Sequence, residues 1–320
     1  MNPIVGIGEL LWDVFPDGRK VAGGAPFNFA FHCKQLGHDA VIVSRVGNDD
    51  LGRELREEVR RLGLIDDFIE TDPEHPTGTV RVTVGEQGQP AYSITEDVAW
   101  DYIGWDDQLN RLARRAKAVS FGTLGSRSGP SVVATFAREV YTTRPTTPRV
   151  FDVNIRQQYF TRATIVGLLG MASWLKVNDE ELALLDGLGC DLFTPSIDMI
   201  QLGMAAGVAG WQYHRIDVVC VTRGQSGCRV YRQWEVDDPD EGSSYVVDEN
   251  TDESGVPARV VDTVGAGDAF TAAMVCLHLE GRQLRECARF ANHYAARVCE
   301  HQGATPTIDR AEVERAAFGR

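Results

Sequence analysis

Short apolar runs alternate with longer stretches of mixed polarity along this chain. The runs Ile4 to Gly8, Ala40 to Arg45, Ala118 to Gly122, Arg149 to Val153, Ser173 to Val177 and Asp217 to Thr222 are brief and dominated by apolar residues, as strands buried on both faces are. Between them, Ala25 to Leu36, Asp50 to Leu62, Pro130 to Tyr141 and Asp179 to Leu185 have the amphipathic character of helices. Such alternation predicts a doubly wound α/β fold, with a mostly parallel sheet between two helical layers.

Two segments interrupt it: Pro16 to Val21, and Thr77 to Ile94. In the second, TGTVRVTVGEQGQPAYSI reads as two period-2 strands around a turn from Gly85 to Pro90,. Strands of this kind do not extend a parallel sheet easily, so they predict a small β lid over a ligand. The boundaries that follow are 13–21 and 77–101 for the lid, and 1–12, 22–76 and 102–320 for the large domain. Residues Trp234 to Pro257 are rich in Asp, Glu and Ser and predict a solvated loop with one hairpin,.

Ordinary hydrophobic and charged fractions, 43% and 24%, set disordered and fibrous classes aside,. The net charge of −14 changes the picture more. It repels nucleic acid and anionic membrane, so any bound phosphate must be held by local donors such as the N–H groups at a helix start. Seven scattered cysteines without a CxxC pair predict reduced thiols rather than a disulfide or zinc framework,. Glu9 and Asp13 interrupt the apolar start, which has no basic residues before it. Neither a signal peptide nor a membrane span is expected, and the predicted location is cytoplasmic.

The sharpest chemical signal is RVVDTVGAGDAFTAAMVCLHLEG, Arg259 to Gly281. It reads as a strand ending at Val261, a small-residue turn at Gly265, Ala266 and Gly267, and a helix opened by Asp268. Successive backbone donors in such a turn make an anion-binding nest. A carboxylate beside it has two readings: a general base for an attacking hydroxyl, or a plain N-cap.

The string DTVGAGDAF resembles the C-terminal signature of the ribokinase-like (PfkB) carbohydrate kinases. The resemblance implies Asp268 as catalytic base and Gly265, Ala266 and Gly267 as anion hole. GELLWDVFP at Gly8 to Pro16 is similar to the fructokinase-type opening and implies Asp13 as a ligand to sugar hydroxyls. VAGGAPFNFA resembles the N-terminal glycine signature, implying Gly23, Gly24 and Asn28 at the sugar. FDVNIR resembles the DxNxR element, which would put Asp152 and Asn154 near phosphates and magnesium, and Arg156 towards substrate or the transferring phosphate. KVNDEE resembles NxxE, implying that Asn178 and Glu181 organise the water shell of Mg²⁺, although the same spacing is a helix capping box. VVCVTRGQSGC matches a TxGxxG turn, implying Thr222, Gly224 and Gly227 at ATP. Asn292 would flank the adenine, and Asp262 with Gly303 would lie at a monovalent cation site for K⁺.

What the resemblance implies is a ribokinase-like three-layer sandwich with a small β lid, moving the γ-phosphate of ATP to a primary hydroxyl of a small sugar. Fructose is the first candidate. 2-Keto-3-deoxygluconate, ribose or a nucleoside are alternatives, as is a non-catalytic sugar-binding protein, and homodimerisation through the lid is a further expectation. The chain has no GxxxxGK[ST], HRD or DFG string, and its early glycines never complete GxGxxG, which disfavours an NAD enzyme,. One departure concerns the lid: fructokinases follow the second lid strand with an arginine, whereas this chain has SITEDVAWDYI, with Glu96, Asp97, Trp100 and Asp101.

Overall fold

Each of the six apolar runs forms a strand in the computed structural model, which describes residues 2–84, 90–128, 131–188, 216–238 and 243–319. The chain opens with β1 (Ile4–Ile7), β2 (Leu11–Val14), β3 (Lys20–Gly23) and α1 (Ala25–Gln35). It continues through β4 (Ala40–Gly47), α2 (Asp50–Arg61), β5 (Ile69–Asp72), β6 (Thr79–Val84) and β7 (Pro90–Ile94). After a 3-10 turn at Ala99–Tyr102 come α3 (Asp107–Ala113), β8 (Ala118–Gly122), a second short turn at Leu124–Ser126, and α4 (Ser131–Thr143). Next are β9 (Arg149–Asp152), α5 (Arg162–Leu169), β10 (Trp174–Asn178) and α6 (Asp179–Gly187). The last part holds β11 (Val218–Thr222), β12 (Cys228–Asp238), β13 (Ser243–Glu253), α7 (Ala266–Leu279), α8 (Leu284–Cys299) and α9 (Arg310–Phe318).

The main sheet runs β13-β12-β11-β10-β9-β8-β1-β4-β5. Its strands pair in parallel from β11 to β5, and β12 and β13 add an antiparallel edge. Alternation along each strand supplies both cores. Ile4, Ala40, Val150, Trp174 and Val218 pack against α1, α7, α8 and α9, whereas Val5, Val41, Phe121, Leu175 and Val221 pack against α3 to α6,. The result is the three-layer sandwich of the ribokinase-like fold. A second sheet, ordered β3-β2-β6-β7, forms the lid; β2 pairs antiparallel to β3 and parallel to β6. Leu11, Val80, Ile94, Val98, Trp100 and Leu124 make its own small core.

Two expectations need correction. The acidic stretch from Trp234 onward does hold the expected hairpin, but it is mostly strand and not solvated loop: β12 and β13 are eleven residues each, paired from Cys228 with Glu253 to Asp238 with Ser243. A hairpin at the sheet edge is defined by backbone pairing and needs no apolar face, so its composition imitates a loop. Nor is Arg259 to Val261 a strand. Val260 and Val261 are 62% and 59% exposed, and the N–H groups of Val261 and Asp262 bond the Cys299 carbonyl at the end of α8 instead of a strand neighbour. The Gly85 to Pro90 turn, except Pro90, and Cys190 lie outside the described residues. The six described cysteines are free thiols, all buried but Cys299, which is half-buried. Among the described residues no helix is long and apolar enough to cross a membrane.

Candidate active site

Parallel strands end on the same side of a sheet, so the loops after β1, β9, β10 and β11 gather at one edge, and the start of α7 joins them. Helix α7 begins at Ala266, with Gly265 as a left-handed N-cap at φ 79° that has no side chain to offer. A methyl group on Gly265 would lie 2.6 Å from Ala304 Cβ, so both conformation and space demand glycine here,. Asp268 is therefore the third helical residue and not the first. It does not cap the helix: its Oδ2 accepts a 2.8 Å bond from Nδ2 of Asn28, on α1. Of the three expected anion-hole N–H groups, that of Ala266 is already engaged with the Thr263 carbonyl at 3.3 Å. The first intrahelical bond runs from Ala269 N–H to Gly265.

Burial is the main force on Asp268 and raises its pKa to about 7. The Asp152 charge raises it further, while the Asn28 bond, Lys176 and Arg156 pull the other way,. Asp13, on β2, is half-buried and pushed to about 6 by burial, with Arg156 opposing. Arg156 is exposed and its guanidinium forms no hydrogen bond or ion pair among the described residues, yet it acts electrostatically on Glu9, Asp13 and Asp268. Asn28 and Asp268 are thus bonded, Arg156 acts on both Asp13 and Asp268, and a methyl group on Gly23 would lie 2.8 Å from Asp13 Oδ2.

Sequence reading missed three charged residues of this region. Glu9 is 3% exposed; its Oε1 accepts the Ala25 N–H at 3.1 Å, capping α1 from outside the helix, and its Oε2 is buried without a partner. Gly24, at φ 116°, makes this possible: a methyl group there would sit 2.2 Å from the Glu9 carbonyl oxygen. Burial lifts Glu9 to about 7, with Asp268 contributing. Lys176, on β10, is 7% exposed and donates to Asp152 Oδ1 at 3.0 Å. Asp152 Oδ2 accepts from Thr271 of α7 at 3.2 Å, and the lysine ammonium lies 3.0 Å from where a Gly267 side chain would begin. The available signal was one lysine inside an otherwise apolar strand.

The third is Arg127, after β8. Its guanidinium makes bonds of 2.8 and 2.6 Å to Asp101 and one of 2.8 Å to the Thr95 carbonyl at the end of β7. It stacks 4.0 Å over Trp100 and 5.0 Å over Tyr159. An arginine from the turn after β8 thus supports the lid segment that departs from the fructokinase pattern. Lysine cannot reproduce the fork or the stack, so Arg127→Lys is expected to cost on the order of 2 kcal/mol, seen as a lower urea midpoint.

The other predicted residues lie further along the same edge. Asn178 and Glu181 do form a capping box: Asn178 Oδ1 accepts Glu181 N–H at 2.8 Å, and Glu181 accepts the N–H groups of Asn178 at 2.9 Å and Ile155 at 3.0 Å. Each carboxylate oxygen keeps a lone pair for a further donor, which fits a water held beneath a hydrated cation. Among the described residues no three acidic, His or Cys side chains converge as direct metal ligands. Thr222 Oγ1 donates to the Val177 carbonyl at 3.2 Å, and Gly224 and Gly227 form the next turn, at φ 52° and 91°. Asn292 tethers the carbonyls of Glu253 and Ser254 at 3.3 and 3.4 Å and borders a cleft of about 380 Å³ with Gly255, Pro257 and Arg289. Asp262 joins two loops by accepting the N–H groups of Val264 and Gly303, both at 3.0 Å.

The chain is similar to known proteins over almost its whole length. An uncharacterized sugar kinase of Pyrococcus horikoshii is 28% identical, covering 97% of this chain and 94% of that protein. Its structure in complex with ATP superimposes with a TM-score of 0.75 over 98% of this chain and 97% of that one. Fructokinase-2 of Oryza sativa subsp. japonica is 25% identical across 96% of this chain and 91% of its own length. Arabidopsis thaliana ribokinase, complexed with ribose and ATP, has 25% identity and a TM-score of 0.75, covering 99% and 98% of the two chains. The profile of the pfkB family carbohydrate kinases matches residues 15–311. Profile, relatives and fold agree, and this chain belongs to the pfkB family of carbohydrate kinases.

Proposed function

We propose that this protein is an ATP-dependent sugar kinase that phosphorylates a primary hydroxyl of a small sugar, with fructose as the leading substrate. The observation that carries the reading is the placement of Asp268 at a glycine-lined helix start, held by Asn28 and within the electrostatic reach of Arg156, which acts on Asp13 as well. Asn28 occupies Oδ2, which leaves Oδ1 to take a hydroxyl proton. The sugar oxygen then attacks the terminal phosphorus of ATP, and ADP leaves. Helix-start N–H groups and Arg156 stabilise charge on the transferring group, so positioning and electrostatics supply most of the acceleration. Asp13 accepts sugar hydroxyls, and the glycine pair lets the ligand approach the backbone. Thr222, Gly224, Gly227 and Asn292 line the nucleotide side. Asn178 and Glu181 would hold Mg²⁺ through water, and the cation would neutralise phosphate charge when bound. The Asp262 and Gly303 loops are the proposed K⁺ site.

The test is ADP release over a panel of fructose, 2-keto-3-deoxygluconate, ribose and a nucleoside. Fructose is expected to give the highest kcat/KM. Tight sugar binding with no ADP release from any member would favour the non-catalytic reading.

A pH profile follows from the site. The base must be ionised, and its pKa is raised to about 7. The rate should therefore be level above that pH and fall about tenfold per unit below it. A profile level down to about pH 5 would contradict Asp268 as base.

A further inference from the structure

Helix α1 is buried along most of its length, from Pro26 to Cys33, yet polar side chains share one of its faces. Asn28, His32 and Gln35 stand at i, i+4 and i+7, the spacing that stacks side chains in a row along a helix. Each bonds the C-terminal part of the chain. Asn28 Nδ2 donates to Asp268 at 2.8 Å. His32 Nε2 lies 2.9 Å from the Ala304 carbonyl oxygen, and its Nδ1 lies 3.1 Å from the Tyr294 hydroxyl. Gln35 donates to the Pro306 carbonyl at 2.7 Å and accepts the Ile308 N–H at 2.9 Å.

A carbonyl only accepts, so Nε2 carries the ring proton and Nδ1 accepts from Tyr294. The ring is fully buried, and burial lowers its pKa to about 4, so the neutral form with this pair of bonds persists at neutral pH. The backbone from Gln302 to Ile308 belongs to no helix or strand. Side chains hold it instead: Asp262 accepts the Gly303 N–H at 3.0 Å, His32 holds Ala304, and Gln35 holds Pro306 and Ile308. Ala304 is where this segment meets the active site. A methyl group on Gly265 would lie 2.6 Å from Ala304 Cβ and 2.8 Å from its carbonyl oxygen, the same oxygen that His32 binds. Ala304 is thus a brace against the turn that opens α7.

We propose that His32, backed by Gln35, is a positioning residue of the phosphoryl-transfer step: through Ala304 it fixes the Gly265 turn, and so the helix-start N–H groups, relative to the base that Asn28 holds from the same helix. This role rests on the kinase reading above, in which those N–H groups meet the transferring phosphate. Burying an imidazole costs free energy unless both nitrogens find partners, and a phenylalanine would fill the same place without that need. Donors aimed at developing charge act only when held in place, and a displacement of about 1 Å costs on the order of 10²-fold.

The experiment compares His32→Phe, His32→Gln, Gln35→Met and Tyr294→Phe by hydrogen exchange of the peptides holding 262–267 and 303–308, by urea denaturation and by steady-state rates. In His32→Phe, kcat is expected to fall roughly 10- to 100-fold, with KM for ATP within about twofold. Exchange in both peptides should quicken roughly tenfold, while peptides of β1 and β4 keep wild-type rates. His32→Gln can donate to Ala304 again and should recover most of kcat. Tyr294→Phe removes only the bond to Nδ1, so it should lower the urea midpoint and leave kcat and exchange at wild-type values. Gln35→Met, at the half-buried end of α1, decides the matter if His32→Phe fails to fold: kcat should drop several-fold, with faster exchange in the same two peptides,. Exchange needs neither sugar nor turnover, so it establishes the brace even if the sugar panel shows no transfer, a result that would sink the kinase reading instead. Wild-type exchange and kcat in His32→Phe or Gln35→Met, or losses of kcat that merely follow the urea midpoint across the variants, would overturn the proposal.

Discussion

Replacing Asp268 by asparagine is expected to lower kcat on the order of 10³-fold, while the KM for ATP stays within about twofold. The amide keeps the shape of the carboxylate and can still meet Asn28, but it cannot take a proton from the sugar. The same substitution should raise the melting temperature at pH 8. In the folded protein Asp268 and Glu9 are raised to about 7, and Asp13 to about 6. A carboxyl with a raised folded-state pKa favours the protonated form on folding, so stability declines as pH climbs from the unfolded carboxylate range towards 7. Removing one buried charge relieves that cost above pH 7. Lost turnover combined with greater thermal stability would mark a residue kept for chemistry, since a structural role predicts losses in both.

Lys176→Met is expected to be the most damaging single change to stability. The ammonium is 7% exposed and its partner Asp152 is 5% exposed, at 3.0 Å. Removing one member of a buried pair strands the other, which costs about 3–5 kcal/mol. Burial works against the lysine charge, yet Asp152 and Glu181 outweigh it and hold the pKa above its usual value. Turnover should drop as well, because the freed Asp152 charge would repel the phosphates above the helix start. The measurement is a urea denaturation curve beside steady-state rates. A double variant, Lys176→Met with Asp152→Leu, should recover most of the stability and little of the rate.

Much of this architecture could be read from the residue order, and the reasons are local. Strand runs such as Ala40 to Arg45 are apolar because both faces are covered, and the helix starts at Asp50 and Asp179 follow capping residues, Asp49 and Asn178,. The length of the edge hairpin, though not its presence, was obscured because β12 and β13 are built from backbone pairs with acidic and polar side chains among them. Val260 and Val261 look like strand residues, but their neighbours in space are the end of α8 and solvent.

At the site, Asp268, Asn28 and Asp13 belong to strings distinctive enough to be found. Glu9, Lys176 and Arg127 are different in kind. Each is a charged group whose role rests on a partner far off in sequence: Ala25 for Glu9, Asp152 for Lys176, Asp101 for Arg127. Nothing in the order of residues announces such pairs beyond the oddity of a charge within an apolar stretch. The capping box at Asn178 and Glu181 shows the converse, where one spacing satisfies helix geometry and leaves lone pairs for ligand chemistry.

Single-turnover transfer of labelled γ-phosphate from ATP to the best sugar of the panel, followed from about pH 5 to about pH 9 in wild type and Asp268→Asn, bears most directly on the central claim. The account predicts a wild-type rate that falls below about pH 7, and a variant roughly 10³-fold slower with no such limb. A variant that transfers phosphate as fast as wild type, or that retains the acidic limb, would contradict it.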